Sequence, residues 1–292
     1  MTASPVPRPA RWRATVKIIF SRKGFDSSAG GVPNPIIAGR PVSLPIPTRM
    51  PTSTRYVDLA NGISDLVQDL TKSRISPRAP CHLDPDLDPT SLPRLPGWRG
   101  SLGQVGAAQS HLSNNEVGPG DVFLFWGLFR RASRTGATQN WTFAGTSEHR
   151  IFGWLQIDEV LPVKDDPRST LATHPWLARH PHVEPGWPHG NTVYVGNKEL
   201  RLNHQKMRVA GFGLFKQGIR LTSLASQRPS VWRVPPWLNP LNGGVGLTYH
   251  PLSRWTTDNE LRSAARGQEF VADIGEREDA LAWLVSLFTE EA

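Results

Sequence analysis

Two short stretches of this 292-residue chain combine residue types that could do chemistry, and the first is KGFDSSAGGVPNP at residues 23–35. It offers an acid, two hydroxyls and two glycines: Asp26, Ser27, Ser28, Gly30 and Gly31. Paired glycines permit positive φ and let backbone N–H groups converge on an anion, which Arg22 and Lys23 would also attract. The pattern fits either a turn that ends a strand or a loop that holds a ligand. We predict the second, with Asp26 and Ser27 as catalytic residues and Arg22, Lys23, Ser28, Gly30 and Gly31 as substrate-binding residues.

The second stretch is CHLDPDLDP at residues 81–89. His82 and Asp84 offer a nitrogen and an oxygen ligand two residues apart, which fits a non-haem iron site or another divalent site if a distant residue completes it. His250 and Glu269 are the candidates for that role. We predict a metal site of His82, Asp84 and His250 for iron, manganese or zinc, with His82, Asp84 and Glu269 as catalytic residues. The alternative is an acidic surface turn stiffened by proline.

Two other interpretations of CHLDPDLDP, a calcium loop and a reactive cysteine, are rejected. A zinc site in a third motif is rejected as well. A calcium loop needs glycine at its sixth position, where this chain has Pro89. Cys81 shows no sign of a lowered thiol pKa, so packing is its expected role. The histidines of HPWLARHPHVEPGWPHG, residues 174–190, are interrupted by four prolines and match no zinc pattern.

Aromatic residues are dense around the predicted strand ends, and the chain has 11 tryptophans. Aromatic faces stack on nucleobases and contribute roughly 1–3 kcal/mol per base. Trp126 and Trp154 are therefore predicted as substrate-binding residues. Packing in the core is the alternative for any single tryptophan.

The formal charge of +8 is unevenly distributed. The first 25 residues hold six positive charges and no acid, residues 198–233 form a second basic stretch, and residues 258–292 are acidic. Such asymmetry suits a face that meets phosphates, so a nucleic acid or a nucleotide is the expected partner. The alternative is that this protein is basic but binds no nucleic acid.

Composition predicts a folded, loop-rich protein, because 27 prolines accompany a hydrophobic fraction of 38%. The single cysteine excludes an internal disulfide, and no signal peptide or apolar stretch near the ~18 residues of a membrane span is visible. We therefore expect a cytoplasmic protein without membrane segments.

Apolar periodicity predicts the elements that must position these residues. Residues 1–14 are expected to be a flexible basic arm, and residues 15–292 a single domain. Strands are predicted at 15–21, 120–130, 149–161, 191–196, 218–224 and 269–274, helices at 56–72 and 276–292, and extended proline-rich loops at 33–51 and 76–100. The fold class is α+β: a mixed, β-rich single domain with a central sheet or small barrel, long proline-rich loops and a C-terminal amphipathic helix.

Ten short motifs follow one another between about residue 15 and residue 275: KIIFSRKGFDSSAGGVPNPI, SLPIP, CHLDPDL, FLFWGLFR, IFGWLQIDEV, HPW, NTVYVG, VWRVPPW, LTYH and GQEFV. Together they resemble the nucleotide modification associated domain 3 family. The resemblance implies a role around modified bases, either making them or handling a nucleotide precursor, with partner proteins of a base-modification system. The stretches GDVFLFWGLF and IFGWLQIDEVL are also similar to paired strands of PUA-like barrels, which hold modified bases in a cleft.

Three functions are compatible with these observations. The first is an enzyme that modifies a nucleobase or nucleotide, with metal assistance as one route; a base in a duplex would have to be flipped out. The second is a PUA-like reader of modified bases without chemistry, and the third is a scaffold partner in a modification complex. The first requires that the segments near residues 26 and 84 line a common cleft.

Overall fold

The structure is a computed structural model that describes residues 15–50, 52–137, 139–163, 167–203, 205–265, 267, 269–289 and 291. The predicted basic arm, residues 1–14, lies outside the described residues. Within the described ranges, no helix has both the length and the apolar character needed to cross a membrane.

The described residues form one mixed α+β domain around a nine-stranded sheet. The predicted α+β class is confirmed. The strands are β1 Val16–Arg22, β2 Asn34–Ile37, β3 Arg40–Pro41, β4 Ile46–Pro47, β5 Cys81–His82, β6 Ser101–Gln104, β7 Val122–Thr135, β8 Asn140–Pro162, β9 Thr192–Gly196, β10 Arg201–Leu202, β11 Gln205–Lys206, β12 Phe212–Arg220, β13 Val231–Arg233, β14 Glu260–Arg262 and β15 Glu269–Gly275. The helices are α1 Ile63–Leu70, α2 Gly106–Asn114, α3 Arg168–Thr173 and α4 Glu278–Thr289.

The main sheet has the order β15-β1-β7-β8-β9-β6, with β12 added to β8 and the β2–β3 pair added to β7. Strands β1 and β2 run parallel to β7, and the other pairings of this sheet are antiparallel. The described strands do not close into a barrel, because the order ends at β15 on one side and at β6 on the other.

Strand β1 lies in the interior of the sheet, between β7 and β15. Its run VKIIFSR is rich in β-branched residues, which pack well on a pleated surface, and Ile18 and Ile19 are fully buried. Successive side chains of a strand point to opposite faces of its sheet. Ile18 and Ile19 accordingly belong to two different core clusters, one on each face.

We name the two faces of the sheet after their core residues. The tryptophan face carries Phe20, Trp126 and Trp154, and the phenylalanine face carries Ile19 and Phe125. Helix α4 covers the tryptophan face with three apolar side chains, Leu281, Leu284 and Phe288. Each such side chain stabilises the fold by about 1.5–3 kcal/mol when fully buried. Helix α2 and the segment around Leu87 cover the phenylalanine face.

Two predicted elements differ in extent from those observed. The predicted helix at 56–72 is reduced to α1, because Gly62 adopts a left-handed φ of 68° directly before it and separates it from a short 3-10 turn. The predicted strand at 218–224 is the end of a longer strand, β12, which ends at Arg220.

The prediction that residues 33–51 are loop throughout was wrong, because this range contains β2, β3 and β4. Pro35 has no backbone N–H to donate, and it is the middle one of the three residue pairs that join β2 to β7. Pro35 also contributes by its carbonyl group, which accepts a hydrogen bond from the Val42 N–H at 2.9 Å.

Candidate functional site

Three potential metal ligands converge beside strand β6: His82, Asp84 and His182. One ring nitrogen of each histidine and one carboxylate oxygen lie within 4.8 Å of one another. His82 is at the end of β5, whose pairing with β4 fixes the start of the CHLD segment. His182 lies in a short 3-10 turn, Pro181–Val183. Pro181 occupies the first position of this turn, where no N–H donor is needed.

The tautomer of His182 follows from its neighbour Asn191. The Asn191 side-chain amide donates to the His182 carbonyl at 2.7 Å, so its oxygen faces the His182 Nδ1 atom at 2.6 Å. An amide oxygen can only accept, and His182 Nδ1 must therefore carry the proton. The lone pair of His182 Nε2 is then directed towards the cluster, where Asp84 Oδ2 lies 4.0 Å away.

The other carboxylate oxygen of Asp84 is held by the protein. Asp84 Oδ1 accepts the Gly103 N–H at 2.7 Å and faces His180 Nε2 at 3.5 Å. His180 Nδ1 accepts the His182 N–H at 3.2 Å, which places the His180 proton on Nε2, where it points at the carboxylate. Asp84 thus keeps Oδ2 available to a cation.

Burial sets the protonation of the cluster. It lowers the pKa of His82 to about 4 and that of His182 to about 3, although Asp84 acts in the opposite direction on both. Burial alone would raise the pKa of Asp84, but His180 Nε2, 3.5 Å from Oδ1, and the neighbouring histidines hold that pKa below its usual value. At neutral pH the cluster is therefore two neutral imidazoles and one carboxylate, the state that binds a metal.

One ring atom of this cluster has no obvious partner. The Nε2 atom of His82 is buried and makes no hydrogen bond to any described residue. Trp187 covers the two histidines, stacked on the His182 ring at 4.1 Å between centroids and edge-on to His82 at 5.6 Å. A buried polar atom without a partner costs free energy, so this nitrogen suggests a ligand that the cluster would bind.

A second buried polar group, the Lys23–Glu269 group, lies at the end of β1 and comprises Ser21, Lys23, Gln104 and Glu269. Glu269 is 1% exposed, and its Oε1 atom accepts hydrogen bonds from the Ser21 hydroxyl and the Lys23 ammonium, each at 3.1 Å, and from the Gln104 amide. Its Oε2 atom has no hydrogen-bond partner among the described residues. Because Gln104 follows Gly103, strand β6 connects this group to Asp84.

The alternation along β1 separates predicted site residues. Lys23 joins Glu269 on the phenylalanine face, whereas the Arg22 guanidinium lies 5.9 Å from the Trp126 ring centroid on the tryptophan face. Arg22 also pairs with the Asp26 carboxylate. Lys23 and Glu269 therefore lie on the opposite side of the strand from Arg22, and the Lys23 charge contributes to the lowered pKa of His82.

The glycine-rich loop is a closed turn in this structure. Asp26 Oδ1 accepts the N–H groups of Ser28 and Ala29 at 2.7 and 2.8 Å, and the Asp26 carbonyl accepts the Gly31 N–H at 2.8 Å. Burial would raise the pKa of Asp26, but these bonds and Arg22 lower it overall. The loop therefore directs several of its N–H groups to its own aspartate.

Other members of the loop have separate roles. Ser27 is exposed, and Ser28 donates its hydroxyl to Asp26 at 2.7 Å. Gly30 has a φ of 81° and lies against the Phe25 ring, which a Cβ atom would overlap at 2.3 Å. Gly31, with a φ of 73°, lies beside the Arg74 guanidinium. The role of these residues in ligand binding stays a prediction.

Three further predicted residues belong to the tryptophan face. Trp126 is 1% exposed and packs on Trp232, and Trp154 is 5% exposed with its indole N–H donated to the Ala210 carbonyl at 3.0 Å. His250 uses both ring nitrogens: Nδ1 donates to the Thr248 carbonyl at 2.7 Å, and Nε2 accepts the Ala264 N–H at 2.9 Å. The structure brings none of the three to the His82 cluster.

Sequence reasoning missed His182, His180 and Asn191. The signal was present as the spacing H-x-H in RHPHV, which repeats the two-residue interval of His82 and Asp84. Proline argued against a metal motif in the sequence, yet Pro181 begins the turn that sets the two rings side by side. Gly24 and Asp84 line one cavity, whereas Asp26 and His82 are not among the residues of its wall.

Together the open sheet and the buried histidine–carboxylate cluster define a mixed α+β protein with a candidate metal centre beside strand β6. Residues 17–273 match the nucleotide modification associated domain 3 family, and the chain belongs to that family. The match extends from β1 into β15. No curated protein and no solved structure matches the chain. The family connects the chain with nucleotide modification without specifying a reaction.

Proposed function

We propose that this protein is an enzyme that modifies a nucleobase or a nucleotide with the help of a divalent metal ion. His82, Asp84 and His182 would hold the ion. The observation that carries the proposal is the convergence of these ligand atoms within 4.8 Å, with the His182 lone pair directed at an open carboxylate oxygen. Two histidines and one carboxylate are typical ligands of non-haem iron, and manganese and zinc accept the same donors.

The chain's own residues would hold the ligands and position the substrate. Gly103 and His180 fix one oxygen of Asp84, and Asn191 fixes the proton of His182, so both ligands are oriented before an ion binds. An ion held by these residues would supply Lewis-acid or redox chemistry. The Lys23–Glu269 group, with its charged donor and its open carboxylate oxygen, would bind polar atoms of the substrate beside that centre.

A reader of modified bases is the alternative function. A reader needs a cleft for the base, but it has no need of three converging ligand atoms or of a buried ring nitrogen without a partner. Leaving such a nitrogen unsatisfied costs roughly 1–3 kcal/mol, which a bound metal ion would offset. The state of His82 therefore favours an enzyme.

Elemental analysis tests the metal centre. Protein purified without chelator should contain iron, manganese or zinc near one ion per chain, and His82→Ala and His182→Ala should each lose it. His174→Ala is the matched control, because this histidine lies in the same segment but contacts Glu159 outside the cluster. Metal absent from the unchanged protein, or kept by both cluster variants, would contradict the proposal.

The modification itself is tested by mass spectrometry. The metal-loaded protein is incubated with nucleotides or DNA, and the nucleosides are analysed for a change in mass that the His182→Ala variant does not produce. Because co-substrates are unknown, cell extract depleted of this protein supplies them. If the nucleosides keep their mass while the protein still binds the base, the result would favour a reader of modified bases.

A further inference from the structure

A cavity of about 950 Å³ borders the candidate metal centre. Asp84, a proposed ligand, forms part of its wall, and so does Gly24, which directly follows Lys23. The cavity therefore reaches the chain segments that carry both buried polar groups. Its volume lies within the roughly 300–1,000 Å³ of small-molecule sites.

The wall of this cavity is largely apolar and aromatic. Four aromatic residues contribute to it from distant parts of the chain: Trp98, Trp141, Phe152 and Phe212. Leu214 also lines it and is 39% exposed, which is unusual for so large an apolar side chain in a strand. Such a surface suits a flat aromatic ligand, because aromatic rings stack favourably on one another. Removing the apolar wall from water also lowers the free energy of the complex.

Two exposed arginines, Arg40 and Arg134, line the same cavity. Neither guanidinium forms an ion pair with any acid among the described residues. Arg134 lies over the Trp141 ring at 5.0 Å from the centroid. Among the described residues its guanidinium donates only to the Gln139 carbonyl, at 3.0 Å, so donors remain for a ligand. The wall also contains Asp88, whose carboxylate is occupied by the backbone N–H of Thr90 at 2.8 Å.

We infer that this cavity binds the nucleotide substrate, with the aromatic base against its apolar wall and the phosphate on Arg134 and Arg40. An aromatic ring joined to an anion matches the two kinds of surface that the cavity presents, and arginine binds phosphate in a bidentate manner. The base would then lie beside Asp84. This inference rests on the proposed function and assigns the place of its substrate. A free nucleotide and a nucleotide of single-stranded DNA present the same chemistry.

Calorimetric titration with the four deoxynucleoside 5′-monophosphates and with a short single-stranded oligonucleotide tests the inference. Arg134→Gln should weaken binding about tenfold, because a charge-assisted contact to phosphate is lost. Arg131→Gln is the matched control: Arg131 is exposed on the same strand, but it is not part of the cavity wall. Binding within about twofold of the unchanged protein is expected for it.

A second variant, Leu214→Glu, places a negative charge in the cavity at a partly exposed position that tolerates polar side chains. It should reduce nucleotide binding by about tenfold or more through repulsion of the phosphate. If both cavity variants bind as the unchanged protein does, or if the unchanged protein binds neither probe, the inference is overturned. Tighter binding of the oligonucleotide than of every mononucleotide would identify a polymer as the source of the base.

Metal content measured on the same samples separates this inference from the proposed function. Both cavity variants should retain the metal of the unchanged protein. Metal without nucleotide binding would overturn the cavity assignment and leave the metal centre in place. Nucleotide binding that depends on Arg134 in a protein without metal would support the cavity assignment and overturn the metal enzyme.

Discussion

Asn191 determines which nitrogen of His182 carries the proton, and this detail decides whether the cluster can bind a cation. With the proton on Nδ1, the Nε2 lone pair faces Asp84 Oδ2 across 4.0 Å. A lone pair and a carboxylate repel one another unless a positive charge lies between them. The arrangement is thus costly in the empty cluster and favourable around an ion, which is the relation expected of a metal site.

Asn191→Ala should weaken metal binding about 10- to 100-fold, the usual effect of removing a residue that orients a histidine ligand. Competition with a chromophoric chelator measures the affinity for zinc or manganese. Asn197→Ala is the control, since Asn197 follows β9 at its other end and its amide nitrogen has no partner among the described residues. Equal affinities of the Asn191 variant and the unchanged protein would contradict the assigned tautomer.

At the scale of elements, strand β6 connects the two buried polar groups. The Gly103 N–H holds Asp84, and the Gln104 side chain holds Glu269, so two consecutive residues of one strand fix both carboxylates. Pairing with β9 sets the register of this strand and places Gly103 opposite Val193. Gly103 must also leave room for His182, because a Cβ atom built on it would lie 2.1 Å from that ring.

Gly103→Ala should therefore displace the His182 ring or the strand. We expect the free energy of unfolding to fall by about 1–3 kcal/mol, as for other overpacked cores, and metal affinity to fall with it. Urea denaturation and the chelator assay measure the two effects. Gly118→Ala is the control, because a Cβ atom there would have no described residue within 4 Å other than its chain neighbours. A change below about 0.5 kcal/mol is expected. Full metal affinity in the Gly103 variant would show that the close contact does not constrain the cluster.

Much of this element structure could be predicted from local patterns. The β-branched run at 15–21 and the apolar stripe at 276–292 predicted β1 and α4, because period and propensity agreed there. The pair His82 and Asp84 was found from its spacing. His182 was not, because a ligand supplied from 100 residues away depends on the pairing of β6 with β9, which no local pattern encodes.

At the scale of the whole molecule, several buried or partly buried histidines are neutral. Burial lowers the pKa of His149 to about 3, with a smaller contribution from Arg22 and an opposing one from Asp26; the pKa of His250 is lowered as well. His82 and His182 add to this set. An unfolded histidine takes up its proton near pH 6.5. Between that pH and about pH 4 the unfolded chain therefore binds more protons than the folded protein.

The free energy of unfolding should consequently fall as the pH decreases from 7 to 5. Urea denaturation at pH 7, 6 and 5, in the presence of a chelator, measures this dependence. In the His149→Gln variant the free energy of unfolding should fall less between pH 7 and pH 5, because the unfolded chain has one histidine fewer to protonate. Equal stability at pH 7 and pH 5 would contradict the assignment of these histidines as neutral.

The alternation of Arg22 and Lys23 has a consequence for how this sequence can vary. Lys23 contacts Glu269 on one side of the sheet, and Arg22 lies over Trp126 on the other. Inserting or deleting a single codon within Val16–Arg22 would exchange the two cations, placing the guanidinium beside the glutamate and the ammonium beside the indole. Length variation among related chains should therefore be confined to the flanking loops, while this strand keeps a constant number of residues.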